Sequence, residues 1–258
     1  MRGRRTITLL TVLAAAATLA LTGSMVGPVA SSDASPGRSQ WRADLDAAST
    51  AIPSIAQTSV QTLDQSLIRS RASNSKATAV AVAMTTNCDG CTGEAGTLQV
   101  VYFDGRGPVA ADNVANAVSQ CPDCDGPVVA TAVSVQVVFV KRADQVTVNN
   151  RALAANVLCG PQDGGPVSEE ICTSSAAAYQ FVVIGGNRRD LTASAKDTIG
   201  QLQDVLAGEL ATAAQAPQAQ AQASAEAQTS SIADQLQAVL VNDTGSTQVQ
   251  RYVDVQVG

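Results

Sequence analysis

Three glutamines stand in equivalent places along this chain: Gln99 opens Gln-Val-Val-Tyr-Phe, Gln136 opens Gln-Val-Val-Phe-Val, and Gln180 opens Gln-Phe-Val-Val-Ile. Superposing them reveals a threefold unit, and a repeated unit constrains a fold strongly because every copy has to bury the same face against its neighbours. Each run is β-branched and aromatic, the composition of a buried strand. Strands are therefore expected near 96–103, 131–140 and 176–184. A turn and an alanine-rich segment follow each one, at 108–120, 149–158 and 191–210. Alanine is the best helix former, and Asp112, Asn113, Asn149, Asn150 and Thr192 are of the types that cap helices. Val114, Ala117 and Val118, or Leu153, Val157 and Leu158, share a helical face. These segments are read as helices. Residues 74–86 hold the equivalent place before the first strand and are read as helix too, although their alternation of Val and Ala also suits a strand.

The six cysteines fall at matching points of this unit. Cys88 and Cys91 form one Cys-x-x-Cys, Cys121 and Cys124 a second, and Cys159 with Cys172 an expanded third, interrupted by an insertion rich in Gly, Pro and acid. The expected order is helix, cysteine pair, strand, repeated three times. The fold class that follows is α/β: a small sheet of three to four mostly parallel strands joined by right-handed helical crossovers. Apolar residues at Ile55, Val60, Leu63 and Leu67 predict a further helix over 54–71. The Ala/Gln-rich stretch 214–228 reads as a mobile or partly helical linker, 232–241 as a short amphipathic helix, and the valine alternation of 247–257 as a docked edge strand or a partner-binding tail.

The start of the chain fixes the expected compartment. Arg2, Arg4 and Arg5 precede the uncharged apolar run 9–21, and small residues follow, with cleavage placed after Ala34. This is the profile of a secretory signal peptide over 1–34, with a polar spacer and the first helix in 35–73, the repeat domain in 74–213, and the C-terminal helix and strand in 229–258. Export implies an oxidising setting in which an even cysteine count reads first as disulfides. A net charge of −6 offers no attraction to nucleic acid or to an anionic membrane. No membrane association is expected once the signal is removed. Histidine is absent, which removes Ser-His-Asp and Cys-His catalysis and the His-Glu-x-x-His zinc peptidase motif.

The stretches from Cys121-Pro-Asp-Cys124 to Val140, from Asn149-Asn150-Arg151-Ala152 to Cys159, and Ala177-Ala178-Tyr179-Gln180-Phe181-Val182-Val183 resemble a group of uncharacterised exported actinobacterial proteins. Some of these are labelled putative peptide zinc metalloproteases. The resemblance spans 74–210 and implies a compartment and a fold type; with no histidine, no zinc-peptidase residue carries over.

Three chemistries compete for the cysteines. The first is disulfides, Cys88 with Cys91, Cys121 with Cys124 and Cys159 with Cys172, an exchange such as Cys91 with Cys121 remaining open. The second is a structural zinc site of Cys88, Cys91, Cys121 and Cys124. The third is a thiol oxidoreductase, disfavoured because each pair would follow a helix and meet its negative end. Gln99, Gln136 and Gln180 are read as buried amides that satisfy backbone groups in preference to a ligand surface. Gly105-Arg106-Gly107 and Gly185-Gly186 are read as turns in preference to phosphate loops. Acids are plentiful but no motif pairs them for glycoside hydrolysis, and Asn242-Asp243-Thr244 matches the N-glycosylation pattern. The expectation is an exported structural or interaction domain without catalysis or cofactor, facing a protein or cell-envelope partner through its flanking helices or C-terminal strand. An accessory or hydrolytic role beside peptidases is the alternative.

Overall fold

Alanine decides the architecture, by way of strands. The computed structural model describes residues 45–72, 74–122, 124, 126–159, 172–185, 190–216 and 218–258, all within one unit, Gln40–Gly258. Residues 1–34, read from the sequence as a signal peptide, the residues that follow up to 44, and the insertion 160–171 lie outside the described residues. Among the described residues nine strands and two helices run in the order β1 (Asp46–Ala51), β2 (Ser59–Ser70), β3 (Ser75–Thr86), β4 (Thr92–Phe103), β5 (Pro108–Gln120), β6 (Val128–Val140), β7 (Gln145–Val157), β8 (Cys172–Ile184), α1 (Ala193–Ala214), α2 (Gln218–Thr244) and β9 (Gln248–Val257). Strands β1, β3, β5 and β7 make a four-stranded sheet in that order, and the even strands together with β9 make a five-stranded one, β2-β4-β6-β8-β9. Every pairing is parallel except that of β9 with β8. The chain passes from one sheet to the other and back, so that each repeat is a rung of two strands.

The α/β composition and the mostly parallel strands match the sequence reading, and the helical crossovers do not. Residues 74–86 and 108–120 are strands β3 and β5, residues 149–158 lie largely in β7, and residues 54–71 are a turn followed by β2. One expected sheet of three to four strands is replaced by two sheets, of four and five strands. The reason is visible in β3, where Ala77, Ala79, Ala81 and Ala83 are fully buried between the sheets and Lys76, Val80 and Met84 point outward. Period-2 burial is the strand signature, and Ala115, Ala117, Ala130, Ala132, Ala176 and Ala178 continue the same small-residue layer.

Polar rungs cross this layer. Gln99, Gln136 and Gln180 are consecutive partners across β4, β6 and β8 and are fully buried. Gln136 Nε2 donates to Gln99 Oε1 at 2.6 Å and Gln180 Nε2 to Gln136 Oε1 at 2.6 Å. The same amides reach the opposite sheet, at Thr78 O, Asp112 O and Ala111 O. The glutamines therefore satisfy buried backbone, as expected. Asn113 and Asn150, read as helix caps, instead form a second rung: Asn113 Nδ2 donates to Asn150 Oδ1 at 2.8 Å and to Tyr179 O at 2.9 Å.

The outer face of the larger sheet carries the bulky side chains. Leu98, Val100, Val135, Val137, Tyr179, Phe181 and Val183 pack against Ile199, Leu206 and Leu210 of α1 and Leu236 and Leu240 of α2. Thr192 caps α1 as expected, its hydroxyl accepting from Ala195 N. The segment read as a linker is the first half of α2, with Ala221 and Ala225 buried. The valine alternation of 247–257 is β9, docked as an edge strand on β8.

The two sheets end alike. Asp64 of β2 accepts from Ala48 N of β1 at 3.0 Å, and Asp254 of β9 accepts from Ala152 N of β7 at 2.8 Å.

Candidate binding groove and cysteine seam

The turns leading from the smaller sheet to the larger one hold the cysteines. Cys88 and Cys91 lie between β3 and β4, Cys121 and Cys124 between β5 and β6, and Cys159 precedes the insertion that ends at Cys172, the first residue of β8. The partners are local and at disulfide distance, with Cα separations of 5.5, 5.5 and 5.9 Å. Cys121, Cys124, Cys172 and Val128 pack in one cluster with Cys159 against it. Successive turns are also stitched by backbone: Asn87 N donates to Gln120 O, and Val129 N to Cys91 O. Each pair follows a strand, so the helix-terminus argument about thiol reactivity has no helix to act through and is withdrawn. Cys88, Cys91, Cys121 and Cys124 form two separate pairs, and among the described residues no three of the types His, Cys, Asp and Glu converge on one point.

The other sequence candidates are placed as follows. Gly105 and Gly107 sit in the turn between β4 and β5, and Gly107 has φ +100°. A Cβ on Gly105 would come within 2.5 Å of Ala72 O, a close approach to backbone that explains the glycine. Gly185, with φ +76°, ends β8, and Gly186 lies outside the described residues. Asp243 is engaged by Thr192, accepting from its N at 3.0 Å and its Oγ1 at 2.6 Å, and Thr244 is buried at the end of α2.

A concave surface lies along β9. In a strand the N–H and C=O of one residue point to the same lateral side, and successive residues alternate. Gln222 of α2 marks the side facing away from β8: its Nε2 donates to Val255 O at 2.9 Å and its Oε1 accepts from Val257 N at 3.0 Å. By the same alternation Arg251 and Val253 turn their backbone groups to that free edge. A cavity of about 340 Å³ opens there, lined by Arg251, Val253 and Asp254 of β9 and by Glu226, Ser230 and Ala233 of α2. Ala221 and Ala225, buried and one turn apart, let α2 lie close to the strand. The groove carries both signs of charge. Arg251 pairs with Asp234, and Glu226 accepts from Gln222 Nε2 at 2.7 Å. Val253 supplies an apolar floor and is 41 % exposed. Beneath it burial raises the pKa of Tyr179 above the ordinary phenol range, so the ring stays neutral. The sequence signal for this site was the valine alternation of the last eleven residues; the contribution of 218–233 was hidden in low complexity.

These features define a parallel two-sheet coil with cysteine-paired turns along one seam and a strand-edge groove at its C-terminal end. Comparison with protein-family models, with curated proteins and with solved structures gives no match.

Proposed function

We propose that this protein is an exported, disulfide-stabilised domain without catalytic activity that captures an extended segment of a protein partner at the free edge of β9. The observation that carries this reading is the row of β9 backbone groups turned into a mixed-charge groove, which matches the demands of strand addition: main-chain hydrogen bonds for affinity, side-chain pockets for specificity. The Arg251–Asp234 pair and Glu226 put both signs of charge beside this edge, so the segment captured is one that carries both acidic and basic side chains. Export is supported by the basic and apolar start of the sequence, and the oxidised state by the local approach of all six cysteines.

Selection of displayed random peptides against the full mature chain tests the binding role. Enriched peptides should bind the wild type and lose binding to Val253→Pro, which removes an edge N–H and bars an added strand. Enrichment that is indifferent to this substitution would sink the reading. Thiol counting on protein recovered from the culture medium tests the chemistry. Six oxidised cysteines are expected, whereas four thiols with bound metal would establish the zinc alternative at Cys88, Cys91, Cys121 and Cys124.

A further inference from the structure

A second polar constellation lies toward the other end of the same outer face, beside β2, where α1 comes down on β4. Gln61 and Glu94 are register partners on the outer face, and Gln61 Nε2 donates to Glu94 Oε1 at 3.1 Å. Asp204 of α1 lines the same cavity as Glu94, whose pKa is raised chiefly by burial and further by the Asp204 charge, against the lowering effect of the Gln61 hydrogen bond. Beside Asp204, Gln203 points down onto the sheet and is 2 % exposed. Its Nε2 is occupied by Val133 O at 3.4 Å, and its Oε1 is buried with no hydrogen-bond partner. Gln61, Glu94, Gln203 and Asp204 line one small cavity of about 20 Å³, room for a single water or ion. Gly96 forms its floor, because a Cβ there would come within 3.1 Å of Gln203 Nε2.

Holding a half-buried carboxylate and an exposed one at a cavity that also contains a buried, orphaned carbonyl gathers negative charge and lone pairs that a cation would offset. We propose that Glu94, Asp204 and the side-chain oxygens of Gln203 and Gln61 form a calcium site that clamps α1 onto β2 and β4. The donor set is all oxygen and contains neither imidazole nor thiolate, which selects a hard cation over zinc. Two carboxylates and two amide oxygens leave coordination positions for water, as calcium accepts. Gln61 turns its amide over to present Oε1, so its hydrogen bond to Glu94 is exchanged for a metal bond. With only two charged ligands the affinity belongs to the weak range of extracellular modules, a Kd on the order of 0.1–1 mM.

Terbium luminescence and calcium calorimetry on the full mature chain test this, with Glu94→Gln, Asp204→Asn and Gln203→Leu as variants and Asp197→Asn, an exposed acid elsewhere on α1, as control. The wild type and the control should show one saturable site that calcium competes for, and a melting temperature that rises with calcium. Either carboxylate variant should weaken binding by about tenfold or more, and Gln203→Leu should weaken it less. Asp204 is exposed, so Asp204→Asn reports on binding in a folded protein. No saturable binding up to about 10 mM calcium, well above the weak end of extracellular modules, would overturn the proposal. Binding that persists unchanged in both carboxylate variants would do the same. A Glu94 that merely holds a proton would show itself as pH-dependent stability with no response to calcium, which also defeats it.

Discussion

Gln136 is the middle member of three amides and serves both neighbours at once, donating to Gln99 Oε1 and accepting from Gln180 Nε2. Replacing it with Leu strands an acceptor on one side and a donor on the other inside a fully buried layer. A loss of about 2–4 kcal/mol is expected in urea unfolding. Gln180→Leu should cost less, because Gln180 Oε1 already lacks a partner. Glu94 gives a prediction in pH. Its folded pKa is raised, so the folded state holds the proton more tightly than the unfolded one. The associated stability is complete below the unfolded carboxyl pKa and is lost as pH rises through the higher folded value. Glu94→Gln should therefore gain stability over wild type at neutral pH in calcium-free buffer and gain nothing in acid, as read by melting temperature across that range. At this scale the sequence was partly legible. The glutamines were readable as buried amides because they sit inside apolar strands. Asn113 and Asn150 were misread as caps, although they are 37 residues apart, the same step that separates Gln99 from Gln136. Equal spacing was the available sign that both pairs belong to one coil.

Among elements, the strands rich in Val, Tyr and Phe were legible and the alanine-rich ones were not. Alanine has high helix propensity and low strand propensity, and β3, β5 and β7 override both. Along the middle of each rung their inward positions face a second sheet held close by bridging glutamines and asparagines, and small side chains fill the space there; Phe103, Val109 and Val140 fill the far end. Propensity is a local preference, whereas this selection is made by the opposite sheet. Ala115→Leu tests the point. On a solvated helix it would be nearly neutral, but between the sheets it should destabilise by about 1–3 kcal/mol through overpacking. Gly208 gives the contrast, since it sits on α1 with open space around it. Gly208→Ala should stabilise the fold by up to about 1 kcal/mol. Chemical denaturation of the two variants beside the wild type checks both signs. The first half of α2 escaped sequence reading because its Ala/Gln composition has little amphipathic contrast; the burial of Ala221 and Ala225 against the rest of the fold supplies what the pattern lacks.

For the whole molecule, the threefold repeat and its cysteine pairing were the legible part, and the number of sheets was not. A repeat of one strand and one alanine-rich segment is equally consistent with a strand–helix unit and with a two-strand rung. The choice rests on tertiary packing that no single repeat contains. The seam of paired turns should act unevenly on stability. In the chain-entropy account a disulfide gains with the loop it closes, and Cys159 and Cys172 are separated by 13 residues against 3 for the other pairs. Serine at both Cys159 and Cys172 should cost about 3 kcal/mol and serine at either Cys-x-x-Cys about 2 kcal/mol, measured by denaturation under non-reducing conditions.

A coil of like rungs has no built-in count, and another copy of the chain could in principle continue it from either end. Asp64, Thr97, Ser134, Ala178 and Asp254 are successive partners in a single column. That column begins and ends with a carboxylate turned inward onto the outermost amide of the facing sheet. Growth past either terminus would drive two such carboxylates together without water, so the column encodes the length of the coil and separates a finite domain from a fibre. Asn at both Asp64 and Asp254 should lift that limit, and time-resolved light scattering of the variant beside the wild type checks it, with assembly expected in the variant alone.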